Sequence, residues 1–213
     1  MTRLYHHVPK IFLATLTGTL ALAAVSGIGV TTASEASATG ACTETITGSH
    51  SGTMTLSGPG TTCLKNATQD GAITVQNGHE LSVVDSKITG AVTSTSSAPF
   101  TFCHSSTVRG AISVSNSTNL VLIGDNGLPC PANVIDGAVT MDSNKGGTHL
   151  GGNSIAGAVT ASGNVAPSGT IIENNHIGGK LSCSGNSPAP VNNGNGNTVS
   201  GARDGQTCAS GTF

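Results

Sequence analysis

Arg109, Asp136 and Asp70 are the residues whose types and placement could carry acid–base or cation chemistry. Each directly precedes the glycine of a recurring Gly-Ala-(Val/Ile)-(Thr/Ser) unit, as in "RGAISVSN" from Arg109 and "DGAVTMDS" from Asp136. Carboxylates on adjacent repeats could hold calcium, and a basic residue beside them could take a proton. A surface ion pair between Arg109 and Asp136, contributing under about 1 kcal/mol, is the simpler reading. Asp85 with Lys87 and Asp142 with Lys145 read as solvated local pairs, and Asp204 as part of a C-terminal cap. The histidines fall at unrelated phases of the repeat: His79 lies eleven residues before its glycine, His104 six, His149 eight and His176 three, with His50 near the first unit. Metal binding needs convergent ligands, so these read as scattered surface histidines. No serine sits in a nucleophile elbow and no glycine-rich phosphate loop leads from an apolar strand into a helix. The sequence therefore predicts no catalytic residue, no cofactor and no metal site.

The elements that would position any such residues come from the repeat. Gly52, Gly71, Gly90, Gly110, Gly137, Gly157, Gly179 and Gly201 follow one another at intervals of 19, 19, 20, 27, 20, 22 and 22 residues. A period of about twenty residues is the mark of a solenoid. Two residues after the glycine stand Met54, Ile73, Val92, Ile112, Val139, Val159 and Leu181, and four after it Leu56, Val75, Ser94, Val114, Met141, Ala161 and Cys183. Between them stand Thr or Ser, so the pattern alternates with period two in β-branched residues and predicts a strand. Two before the glycine come Ile88, Val108, Ile135, Ile155, Ile177 and Val199, and seven before it Val83, Cys103, Cys130, Leu150 and Ile172, all expected to point inward. Four before it come Ser86, Ser106, Asn133, Asn153, Asn175 and Asn197, a column able to hydrogen-bond from coil to coil. The glycine itself is expected to mark a tight corner or a positive φ. Helix is disfavoured by the abundance of Gly, Thr, Ser, Asn and Val. The expected fold is all-β: a single-domain parallel β-helix of seven to eight coils, right-handed by the general preference of parallel crossovers.

Six cysteines, with no Cys-x-x-Cys, point to disulfides rather than a zinc ribbon. Cys103 and Cys130 are expected to face each other in successive coils, with an extra loop at "GDNGLPCPAN" from Gly124. Cys42 with Cys63 and Cys183 with Cys208, each about one coil apart, would staple the two ends. Residues 1–38 have the layout of a signal peptide: Arg3 and Lys10, an uncharged apolar run over 11–30, and Ala36-Ser37-Ala38 as the cleavage signal. The β-helix domain would then be residues 39–213, secreted, with no stable membrane insertion after cleavage. An uncleaved anchor lacks a basic stop-transfer cluster, and a lipoprotein start at Cys42 lacks the preferred leucine.

From residue 39 onward there are six basic and nine acidic side chains, 6 − 9 = −3, without a run of either sign. That excludes a phosphate-neutralising stripe, and so a nucleic-acid partner. There is no Trp, the one tyrosine is Tyr5, and three Phe follow residue 39, too few for a stacking platform for bases or sugars. Asn66-Ala67-Thr68 and Asn116-Ser117-Thr118 match the glycosylation tripeptide, as chance allows in so Asn- and Thr-rich a chain. The regular surface feature is an outward column of Thr74, Thr93, Ser113, Thr140 and Thr160, flanked by Ala72, Ala91, Ala111, Ala138 and Ala158. This is the candidate binding face. Flat Thr/Ala arrays on β-solenoids resemble ice-binding faces, although here one Thr per coil is expected rather than a Thr-x-Thr pair.

With the columns in place, the chain resembles a group of small secreted β-helix proteins of unknown function from high-GC Gram-positive bacteria. The likeness is strongest in "IIENNHIGGKLSCSGNSPAPVNNGNGNTVSGARDGQTC", residues 171–208, where Thr207 standing between Gln206 and Cys208 is a small departure. The resemblance implies an exported β-helix and carries over no catalytic residue. The functional expectation is a non-enzymatic surface or cell-envelope protein that meets an envelope or polysaccharide surface. The alternative is a carbohydrate-active, pectate-lyase-like enzyme or glycan-binding module, and the remote one an ice-binding protein; fold analogy alone licenses neither.

Overall fold

A computed structural model describes residues 41–95, 98–125 and 130–213, which form an all-β parallel solenoid of about eight turns with almost no helix. The expected signal peptide, residues 1–38, lies outside the described residues. Three strips of stacked strands build the wall. One strip runs Met54–Leu56, Ile73–Val75, Val92–Thr95, Ile112–Ser115, Val139–Asp142, Val159–Ser162, Leu181–Ser184 and Arg203–Asp204. A second runs His79–Val84, Phe100–Cys103, Val121–Ile123, Thr148–Gly151 and Thr170–Glu173. The third is made of two-residue strands, Lys87–Ile88, Thr107–Val108, Val134–Ile135, Ser154–Ile155, His176–Ile177 and Thr198–Val199. The longer strand Gly60–Asp70 rounds a corner, pairing with His79–Val84 on one strip and Lys87–Ile88 on the next.

The apolar columns stack as the sequence predicts. Ile73, Val92, Ile112, Val139, Val159 and Leu181 pair in succession, as do Ile88, Val108, Ile135, Ile155, Ile177 and Val199. Apart from Ile155 at 1% exposure and the partly buried Val199, these side chains are fully buried. In the first coils the second column ends on buried Gln69, whose amide nitrogen donates to the Gly52 carbonyl.

The Asn ladder is present and is made by backbone as well as side chain. Asn153 Nδ2 donates to Asn175 Oδ1 at 3.1 Å, to the Ile123 carbonyl at 2.7 Å and to the Gly151 carbonyl at 2.9 Å, while Asn153 Oδ1 accepts the Asn133 amide at 3.0 Å. Ser86 and Ser106 do the simpler version, each accepting one amide from the coil below. A second ladder runs along another edge through Ser117, Asn144, Asn164, Asn186 and Gln206. Four of its five members stand seven residues after their glycine, a column legible in the sequence but not read there. At most of these bends the residue just before the ladder residue is left-handed: Asp85, Ser105, Asn116, Ser143 and Asn174, or Gly152, Gly163, Gly185 and Gly205. Asn, Asp and Gly tolerate that region best, which explains why the bends are rich in them.

One expectation holds in part and one needs correction. The repeat glycines lie at bends, but positive φ among them occurs only at Gly52 and Gly71. At the others the constraint is stacking: a Cβ on Gly137 would lie 2.4 Å from the Gly110 carbonyl oxygen, and one on Gly110 2.5 Å from that of Gly90. Cys103 and Cys130 do not share the inward column. Phe102, not Cys103, sits between Val83 and Ile123, and Ile123 pairs with Leu150. The bend in this coil holds two left-handed residues, His104 and Ser105, where the neighbouring bends use one, so counting back from the glycine slips by one. The two cysteines instead form, with Leu122, a small cluster apart from the main core, and their disulfide closes there at a Cα–Cα distance of 4.6 Å. Residues 126–129 of the expected loop lie outside the described residues. The other two disulfides, Cys42–Cys63 and Cys183–Cys208, pair as expected.

Candidate functional site

The candidate face is built by the strip from Met54–Leu56 to Leu181–Ser184, because period-two alternation turns every second residue outward. Thr74, Thr93, Ser113, Thr140 and Thr160 are in register, each paired with the next, and the column extends to Thr55 at one end and Ser182 at the other. Strand spacing sets the hydroxyls about 4.8 Å apart along the solenoid axis. Thr93 is exposed and the other four are half-buried.

The structure adds a second outward column, two residues further on: Thr95, Ser115, Asp142, Ser162 and Ser184. The face therefore carries paired hydroxyls in most coils, Thr93 with Thr95 and Thr160 with Ser162 among them, where the sequence reading expected one. Asp142 interrupts this column and accepts a hydrogen bond from the Ser162 hydroxyl. The alanine column beside it is tied by coil-to-coil bonds: the amides of Ile73, Val92, Ile112 and Val139 donate to the carbonyls of Ala91, Ala111, Ala138 and Ala158.

Of the charged groups singled out in the sequence, the structure brings few together. Arg109 and Asp136 stand in successive coils, but among the described residues their side chains form no ion pair. Asp70 accepts from the Thr89 hydroxyl at 2.8 Å. Asp85 and Lys87 line an open groove with Asn66, Thr68, Ser105 and Thr107, also without an ion pair. Asp204 does pair, with Lys180 Nζ at 2.8 Å, and the Lys180 hydrogen bond and charge hold its carboxyl below its ordinary value. None of the phenylalanines at 100, 102 and 213 is exposed: Phe100 and Phe102 stack inside the solenoid with ring centroids 5.2 Å apart.

The histidines are not all on the surface. His79 is buried, its ring between the Thr62 hydroxyl at 2.9 Å and the Gly58 carbonyl at 3.1 Å. His149 converges with Asp125 and Glu173, which the phase argument did not foresee, since these three occupy different columns. Comparison with known proteins finds no family model, no curated protein and no solved structure that matches this chain. Function has to be argued from the faces themselves.

Proposed function

We propose that the protein is exported and acts as a non-enzymatic β-helix of the cell envelope, docking an extended, repetitive polysaccharide surface on its hydroxyl face. The observation that carries this reading is the register of two outward columns over successive coils, hydroxyl-bearing except at Asp142, with one strand spacing. A rigid array of small hydroxyls pays little side-chain entropy on docking and offers donors and acceptors at a constant repeat. Three disulfides suit an oxidising compartment, and no helix among the described residues is long and apolar enough to cross a membrane. An enzyme of the polysaccharide-lyase kind draws no support from Arg109 and Asp136, which do not engage each other. The test is co-sedimentation with insoluble cell-wall polysaccharide. The parent protein is expected to pellet with the polymer, and Thr93→Lys with Thr140→Lys to remain in the supernatant. A parent protein that stays soluble, or a lysine variant that still pellets, overturns the reading.

The paired hydroxyls favour one second reading, an ice-binding face. Thermal hysteresis in the parent protein, lost in the same variant, would support it; a parent without hysteresis removes it.

A further inference from the structure

Asp125, His149 and Glu173 approach one another from three successive coils. His149 lies on the strand Thr148–Gly151, on the side turned away from the core, since its neighbour Leu150 is fully buried inside. Glu173 ends the next strand, Thr170–Glu173, opposite Gly151 rather than opposite His149. Such a diagonal neighbour is within reach of a long side chain, and Gly151 has no side chain to fill the space between. Glu173 Oε1 accordingly lies 3.1 Å from His149 Nε2, and His149 Nδ1 is 3.9 Å from Asp125 Oδ2. One ligand atom from each of the three lies within 4.8 Å of the others.

The two carboxylate residues are held from behind. Asn195 Nδ2 donates to Glu173 Oε2 at 3.1 Å, leaving Oε1 directed at the imidazole. Asp125 follows Gly124, whose left-handed φ of 63° and lack of a Cβ let the chain leave the strand beside Gly151 and Asn153; a Cβ there would lie 2.3 Å from the Gly151 carbonyl oxygen. The Asp125 amide donates to the Cys130 carbonyl at 2.8 Å, and Cys130 is disulfide-bonded to Cys103, so the backbone that carries this carboxylate is tied to the wall. Both carboxylate side chains are only 7% exposed, and the imidazole 16%.

We propose that Asp125, His149 and Glu173 form a binding site for a divalent transition-metal ion of the zinc class. One nitrogen and two carboxylate oxygens make three protein ligands, which leaves a coordination position open. The imidazole selects this class over calcium and magnesium, which take oxygen ligands. Asn195 is the outer partner that orients the Glu173 ligand, as such partners do around bound metals. The ion would clamp three successive coils together with the inserted segment, which is the longest departure from the repeat.

The test is zinc titration of the whole purified protein by calorimetry, with metal content after dialysis and thermal unfolding measured alongside. One equivalent bound per chain and a rise in Tm are expected. His149→Ala and Asp125→Asn should each weaken binding by about tenfold or more while retaining the parent circular dichroism spectrum. Asp125→Asn keeps the side-chain volume, so it reads out the ligand even where His149→Ala fails to fold. Calcium at tenfold excess should not displace the zinc. Metal content far below one equivalent, zinc binding undiminished in Asp125→Asn, or displacement by calcium would each overturn the assignment.

Discussion

From Gly71 onward the repeat glycines exclude a side chain because backbone from the adjacent coil meets there. Gly137→Ala places a methyl 2.4 Å from the Gly110 carbonyl oxygen, backbone against backbone, with no flexible group to yield. A loss of about 3 kcal/mol is expected in denaturant unfolding, the upper range for overpacking. Gly211→Ala, where a Cβ meets nothing within 4 Å, should stay within about 0.5 kcal/mol of the parent. The Lys180–Asp204 pair sits on the surface, and its expected effect is a pH dependence rather than a large stabilisation. Because the folded carboxyl is held below its ordinary value of 3.8, the pair adds stability above that value and loses it as the pH falls through the lowered one. Asp204→Asn should therefore lower Tm slightly at neutral pH and at low salt, and the difference should vanish in strong acid. Melting curves across pH check the sign.

At the scale of the element, the ladders do the work that loop packing does in other folds. Each interior Asn satisfies amides and carbonyls that a bend would otherwise bury without partners. Removing the Asn153 side chain strips the Asn133 amide of its acceptor and the Ile123 and Asn175 oxygens of a donor. Asn153→Ala is expected to cost about 3 kcal/mol, while Asn153→Ser, which keeps an acceptor as Ser106 does at the same place, should cost clearly less. Denaturant midpoints of the two variants decide it. The ladders also need a last rung. One ends where Asn197 Nδ2 donates to the Phe213 carbonyl at 2.7 Å, the other where Asn186 Nδ2 donates to Gln206 Oε1 at 2.8 Å. Phe213 itself is buried against the end of the core.

Across the whole molecule, each coil touches only its neighbours, so the ends are the weak points of a stack. The Cys183–Cys208 disulfide closes a separation of 25 residues at the last turn. On the loop-entropy account it contributes about 3.5 kcal/mol, and Cys183→Ser with Cys208→Ser should lose about that amount. Hydrogen exchange should then rise first at Leu181–Ser184 and Arg203–Asp204, leaving Ile112–Ser115 protected; uniform loss of protection would show a single cooperative unit instead. The sequence by itself determined the coil, the inward columns outside the coil of Cys103, one Asn ladder, the first outward hydroxyl column and all three disulfide partners. In a stacked repeat each residue contacts its own counterpart one period away, so one-dimensional periodicity is already a contact map. Only the tertiary structure decided what breaks that rule. The two-residue bend at His104 and Ser105 shifted Phe102 into the place expected of Cys103, a difference of one residue that periodicity averages away. Asp125, His149 and Glu173 meet diagonally, across columns and through the inserted segment, and no fixed spacing records such a meeting: it depends on where side chains of different length reach, not on their phase along the chain.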